Sequence, residues 1–142
     1  MTENIYGGLA ASSLETLMHS LKPHDHLCLI YESEEEWAQA VVLFILQGIK
    51  RGEKCVYITS EHTAEQIKTA LTDAGLDVAA AGRKGQFAVI HERDAYTKEG
   101  FFDPDLMIKF IISETEKAVC EGYPALRVTG ETGQSHKRKL KN

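Results

Sequence analysis

The stretch His26-Leu27-Cys28-Leu29-Ile30-Tyr31-Glu32-Ser33-Glu34-Glu35-Glu36-Trp37 sets the reading of the whole chain. Its first half, His26 to Tyr31, is a short apolar run of the kind that forms a strand buried on both faces. Ser33 with Glu36 three residues on has the spacing of a helix capping box. From there Trp37, Val41, Phe44, Ile45 and Ile49 recur on one helical face, and Val42 and Leu46 widen that face until little polar surface is left. Gly52 offers the left-handed conformation that stops a helix. Lys54 to Thr59, another compact apolar run, reads as the next strand.

The alternation continues along the chain. Thr63 with Gln66 repeats the capping-box spacing, and Ile67, Ala70, Leu71 and Ala74 trace a helix that Gly75 ends. Asp77 to Gly85 is a small-residue stretch and reads as a loop. Gln86 to His91 is the third strand, and the polar, aromatic segment 92–102 reads as a surface lid. Asp103 before Pro104 is an N-cap with proline at the first helical position. The helix it opens carries Leu106, Met107, Phe110, Ile111, Ala118 and Val119, and runs to Gly122. Ala125 to Thr129 is the fourth strand. Strands that alternate with helices in this way predict an α/β fold, a mostly parallel sheet with helices on both faces.

The 142 residues suit one compact domain. The division expected is a single domain over 1–132 and a basic tail without fixed structure over 133–142. Sixteen basic against 21 acidic residues give a net charge of −5, although Lys137, Arg138, Lys139 and Lys141 crowd the C-terminal end. The body of the domain is therefore strongly acidic, which argues against direct nucleic-acid binding. The longest apolar run, Ala40 to Leu46, is far short of the roughly 18 residues needed to cross a bilayer. The N-terminus lacks the pattern of a secretory signal. Three widely spaced cysteines without a CxxC pair fit reduced thiols, and the expected location is cytoplasmic.

In open parallel sheets, ligands bind beyond the carboxyl ends of the strands. A nucleotide site after the first strand needs glycines that let backbone N–H groups close on phosphates, and a lysine for charge. The loop Tyr31-Glu32-Ser33-Glu34-Glu35-Glu36-Trp37 has neither, and its four carboxylates repel a triphosphate. Leu27 through Tyr31-Glu32-Ser33, Gln47 through Lys54, Val56 through Thr59 and Glu65-Gln66-Ile67 together resemble the KaiC branch of the RecA-like ATPases with its phosphate loop replaced. More specifically, His24-Asp25-His26-Leu27-Cys28 ahead of Tyr31-Glu32-Ser33, then Phe102-Asp103-Pro104 and Leu126 through Glu131, resemble the methanogen/methylotroph sensory family named for the regulator DcmR. The resemblance spans about residues 14 to 131 and implies a RecA/KaiC-like three-layer sandwich lacking a functional phosphate loop. It also implies sensing of small hydrocarbon derivatives and a regulatory partner, a histidine kinase or a transcription regulator. Two departures stand out. The family pattern continues after Gly130-Glu131 with a methionine and an aromatic residue, where this chain has Thr132-Gly133-Gln134, so a last helix and strand are expected to be missing. The 25 residues before the first strand are too few for a DNA-binding helix-turn-helix.

Several residues could carry recognition. In extended backbone His24, His26 and Cys28 share a face, where two imidazoles and a thiolate could hold zinc, with Cys55, His62 or His91 completing the set. The competing reading makes Cys28 a small core residue and the histidines local hydrogen-bond partners. Glu61 and Glu131 fall just past the ends of the second and fourth strands, where the resembled ATPases place acids that handle water and magnesium. Arg127, inside a short apolar strand, needs a partner, because an unpaired buried charge costs several kcal/mol. Glu131, Glu32 and Glu61 are the expected candidates, either in an internal ion pair or with Arg127 anchoring a ligand. Tyr31, Trp37, Tyr57, Tyr96, Phe101 and Phe102 supply aromatics around the same strand ends. The function expected is a non-enzymatic sensory domain without a cofactor. It binds a small organic ligand through His24, His26, Cys28, Tyr31, Glu32, Trp37, Glu61, Tyr96, Arg127 and Glu131, and acts as a homodimer. The dimer follows from the nearly all-apolar helix 34–51, which needs cover on both sides. The alternative is a metal-dependent enzyme or metal sensor built on His24, His26 and Cys28.

Overall fold

A computed structural model describes residues 11–25, 30–97 and 100–131. Its centre is β1 (Lys54–Thr59), whose six residues are all buried. This strand pairs in parallel with β2 (Phe87–His91) on one side and β3 (Leu126–Gly130) on the other, giving the order β2-β1-β3. The register places Tyr57 between Val89 and Thr129. The period-two alternation of β1 feeds two cores. Cys55 and Tyr57 join Trp37, Val41 and Ile45 of α2 (Glu34–Lys50), Ile67 and Leu71 of α3 (Ala64–Asp73), and Ala81 of α4 (Val78–Arg83). Val56 and Ile58 face the other way, toward Ala95 of α5 (Glu92–Ala95) and Leu106, Met107 and Phe110 of α6 (Pro104–Cys120). The expected mixed α/β architecture, a parallel sheet with helices against both faces, is therefore present.

The helix ends follow the expected local chemistry. Ser33 caps α2, its hydroxyl accepting from the Glu36 N–H. The Glu36 carboxylate reaches one residue further back, to the Glu32 N–H at 2.9 Å. Thr63 and Gln66 form a complete capping box at α3, and Asp103 with Pro104 opens α6. Gly52, at φ 73°, ends α2, and the Glu53 N–H bonds back to the Gly48 carbonyl at 2.9 Å. That pattern is a Schellman turn, and it delivers Glu53 to the start of β1.

Four expectations change. Residues 77–85 are not all loop: Asp77 caps the short helix α4, its carboxylate accepting from the Ala80 N–H at 3.0 Å. The segment 92–102 is not wholly a surface lid, because α5 starts it and Ala95, Tyr96 and Thr97 are buried. A helix precedes the sheet: α1 (Ala11–Ser20) lays Leu14 and Met18 on Ala40, with Leu43 and Phe44 alongside. The Arg51 guanidinium ties it down by donating to the His19 and Leu21 carbonyls at its C-terminal end. The second apolar side of α2 is thus covered within the chain by α1, so α2 no longer calls for a dimer. The strand expected over His26–Tyr31 falls mostly outside the described residues, and Ile30 and Tyr31 carry no strand pairing. Residues 133–142 also lie outside them. Among the described residues, no helix is long and apolar enough to cross a membrane.

Candidate functional site

The order β2-β1-β3 puts successive connections on opposite sides of β1. The crevice where such connections diverge, at the carboxyl ends of the strands, is the usual ligand position in open α/β sheets. Here the corresponding position is at the ends of β1 and β3, where Glu131 sits. Its carboxylate accepts from the backbone N–H groups of Ser60 at 2.7 Å and His62 at 3.1 Å, in the loop that leaves β1. The same carboxylate is hydrogen-bonded to His62 Nδ1. The other ring nitrogen, Nε2, lies 2.7 Å from the Glu34 carboxylate in the first turn of α2. One imidazole therefore joins α2, the β1–α3 loop and the end of β3.

Both nitrogens of His62 face carboxylates, and only the imidazolium can donate to two acceptors. Burial opposes the charged form, but the hydrogen bonds to Glu34 and Glu131, with their charges, outweigh it and raise the His62 pKa above 6.5. The ring lies against the Trp37 indole, with centroids 3.6 Å apart and planes 2° from parallel. When the ring is protonated, the stack adds a cation–π attraction on the order of 1 kcal/mol. The indole N–H donates in turn to the Tyr57 hydroxyl at 2.9 Å.

Three phenols surround Glu131. Burial pushes up the pKa of Tyr57, and the Glu131 carboxylate adds to the effect despite the opposing bond from Trp37. The Tyr31 pKa is raised by burial and by the charges of Glu131, Glu61 and Glu34. Burial, Glu92 and Glu131 do the same for Tyr96. The Tyr96 hydroxyl lies over Gly130, 3.7 Å from where a side-chain carbon would start. These groups make a rim of protonated hydroxyls and aromatic faces around a net negative centre. Such a rim offers hydrogen bonds and apolar contact to a small molecule and repels a phosphate chain.

Of the residues expected at the site, Tyr31, Trp37, Glu61, Tyr96 and Glu131 converge here. Glu32 borders it, with its N–H on Glu36. Arg127 does not converge. It pairs with Cys55 in the sheet, about 13 Å along the strand from Thr59 at 3.3 Å per residue. Its partner is Glu53, at 2.8 Å, rather than Glu131, Glu32 or Glu61. The guanidinium also donates to the Phe44 carbonyl at 3.0 Å and stacks over that ring. Arg127 holds the opposite end of the sheet to α2. His24 is exposed, and its φ of 78° breaks the extended geometry that would align it with positions 26 and 28. His26 and Cys28 lie outside the described residues. The suggested completing ligands have other partners. Burial pushes the Cys55 thiol up to about 12, His62 is held by two carboxylates, and His91 accepts from the Arg93 N–H at the start of α5. Among the described residues, no group of three or more His, Cys, Asp or Glu side chains is arranged to hold a metal ion.

The central role of His62 was not foreseen, because in the sequence it stood only as a spare metal ligand. Its signal is its place: three residues beyond a buried strand, beside Glu61 and next to a helix cap.

No match is found among curated proteins or among solved structures. Residues 25–141 match the family described as "MEDS: MEthanogen/methylotroph, DcmR Sensory domain", including the basic segment that the composition set apart as a tail. The matched stretch is most of the chain, and the protein therefore belongs to the MEDS family of sensory domains.

Proposed function

We propose that this chain is a non-enzymatic sensory domain. It binds a small organic molecule, a hydrocarbon derivative, in the crevice between β1 and β3, and relays that event to a regulatory partner, a histidine kinase or a transcription regulator. The working form is a cytoplasmic homodimer, and the sheet descends from a RecA/KaiC-like ATPase that lost its phosphate loop. The observation that carries the reading is the Glu34–His62–Glu131 bridge with Trp37 stacked on it. It occupies the ligand position of the fold with carboxylates and an aromatic ring, where a nucleotide binder needs N–H groups and cations. A ligand that touches Trp37, Tyr31 or Tyr96 changes how firmly α2 is tied to the strand ends, which is a mechanical output.

A thermal-shift screen over haloalkanes, aldehydes, alcohols and methylated amines tests this. A ligand at a hundredfold excess over its Kd stabilises by about 2.7 kcal/mol, a shift of several degrees for a domain of this size. Shifts from small organics and none from ATP are expected. A shift from ATP alone overturns the reading.

A further inference from the structure

α6 carries more apolar surface than the sheet covers. Leu106, Met107 and Phe110 pack toward Val56 and Ile58, yet only Glu114 and Ala118 of the helix are buried. Ile108 and Ile112 are each 53 % exposed and Val119 61 %. Their spacings of four and seven put all three on one line, turned well away from the sheet-facing side at about 100° per residue. Placed on a heptad, Ile108 takes position d, Ile112 a, Thr115 d and Val119 a, which is a coiled-coil seam.

Among the described residues, no other element packs on that seam. The segment 132–142 has one large apolar residue, Leu140, among four cations. α1 packs on α2, across the sheet from α6. The charges beside the seam identify the occupant. Lys109 and Glu116, both exposed, each fall at position e. Position g holds Ile111 and Ala118. In a parallel pair e meets g, and neither charge finds a partner. In an antiparallel pair e meets e, so an axis between Ile112 and Ser113 brings each Lys109 against Glu116 of the other copy, twice over.

We infer that the outer face of α6 is a self-complementary interface on which two copies of this chain pair antiparallel about a two-fold axis beside Ile112. The inference rests on the homodimer of the proposed function and on nothing about its ligand.

Sedimentation of the full chain over about a hundredfold range of concentration tests it, since a small interface of this kind dissociates on dilution. The mass is expected to approach twice that of the monomer at the high end. Ile112→Asp, at an exposed position that leaves the far-ultraviolet circular dichroism unchanged, weakens association at least about tenfold. Lys109→Glu and Glu116→Lys each weaken it, and the double reversal restores it. A monomer throughout, a dimer indifferent to Ile112→Asp, or a double reversal no better than the singles overturns the inference. Any of these leaves the ligand reading standing, because the thermal shift is measured on monomer and dimer alike. An empty ligand screen with a dimer that passes these tests fails the other reading alone.

Discussion

The imidazole of His62 lies flat on the indole of Trp37, with ring centroids 3.6 Å apart and planes within 2°. Trp37 is the single tryptophan of the chain, so the tryptophan emission comes from this site. A protonated imidazole quenches a stacked indole more strongly than a neutral one. The folded-state pKa of His62 is raised above its unfolded value, so its contribution to stability is complete below pH about 6.5 and is lost as pH rises through the folded pKa. Trp37 emission should rise, and the melting temperature fall, over that same interval above pH 6.5. His62→Gln should flatten the emission profile, and an unchanged profile in that variant would remove His62 from the explanation.

The two carboxylates that hold His62 should differ sharply in worth. The Glu131 side chain is 5 % exposed and accepts from two backbone N–H groups as well as the ring. Glu131→Gln keeps one acceptor oxygen of the two, so either the buried His62 ring or the two backbone donors face an NH2 group instead, at a cost of about 3 kcal/mol. The Glu34 side chain is 73 % exposed, and Glu34→Gln should cost less than about 1 kcal/mol. Urea denaturation of the two variants measures the difference. Equal losses would mean that solvent reaches the whole bridge.

Arg127 and Glu53 form a buried pair, with side chains 7 % and 8 % exposed. Arg127→Met alone should destabilise by about 3–5 kcal/mol, because Glu53 is left charged and buried. The double variant Arg127→Met/Glu53→Met should recover most of that loss. Neither variant should alter the Trp37 pH profile, because the pair lies at the other end of the strands.

How much of this was legible beforehand depends on whether the signal was local. The caps at Ser33, Thr63 and Asp103, and the boundaries of β1, β2 and β3, follow from residues within one turn or one strand of each other. α1 is also written in the chain, in Leu14, Met18 and Leu21 at helical spacing. α4 was missed because a run of Ala and Gly reads as loop, although alanine is the best helix former and Asp77 is a good cap. The partner of Arg127 was sought at the wrong end of the sheet. Parallel strands align their starts, so the second residue of β3 lies nearer to Glu53 than to any loop beyond the strand ends. The aromatic and acidic character of the crevice was legible, since its residues cluster after strands. The bridge through His62 was not, because it joins residues 28 and 69 positions apart. Nothing in one sequence selects among the acids that could meet it.

Gly48 offers a test of the packing behind α2. In the middle of a helix, alanine is ordinarily favoured over glycine by about 1 kcal/mol. Here a Cβ would lie 2.6 Å from Cys55 Sγ and 2.8 Å from Arg127 Cδ. Gly48→Ala should therefore destabilise, by about 1–3 kcal/mol, as overpacking does. Denaturation showing a gain in stability would mean that α2 sits further from the sheet.

Trp37 emission followed during titration with small organic molecules, and separately with magnesium–ATP, tests the account at its centre. Saturable changes are expected with haloalkanes, aldehydes, alcohols or methylated amines, and these should weaken in Glu131→Gln. ATP should leave the emission unchanged, because Glu32, Glu34, Glu35 and Glu36 make the start of α2 strongly acidic. A saturable response to ATP, or its hydrolysis, with none to the small organics would contradict the account.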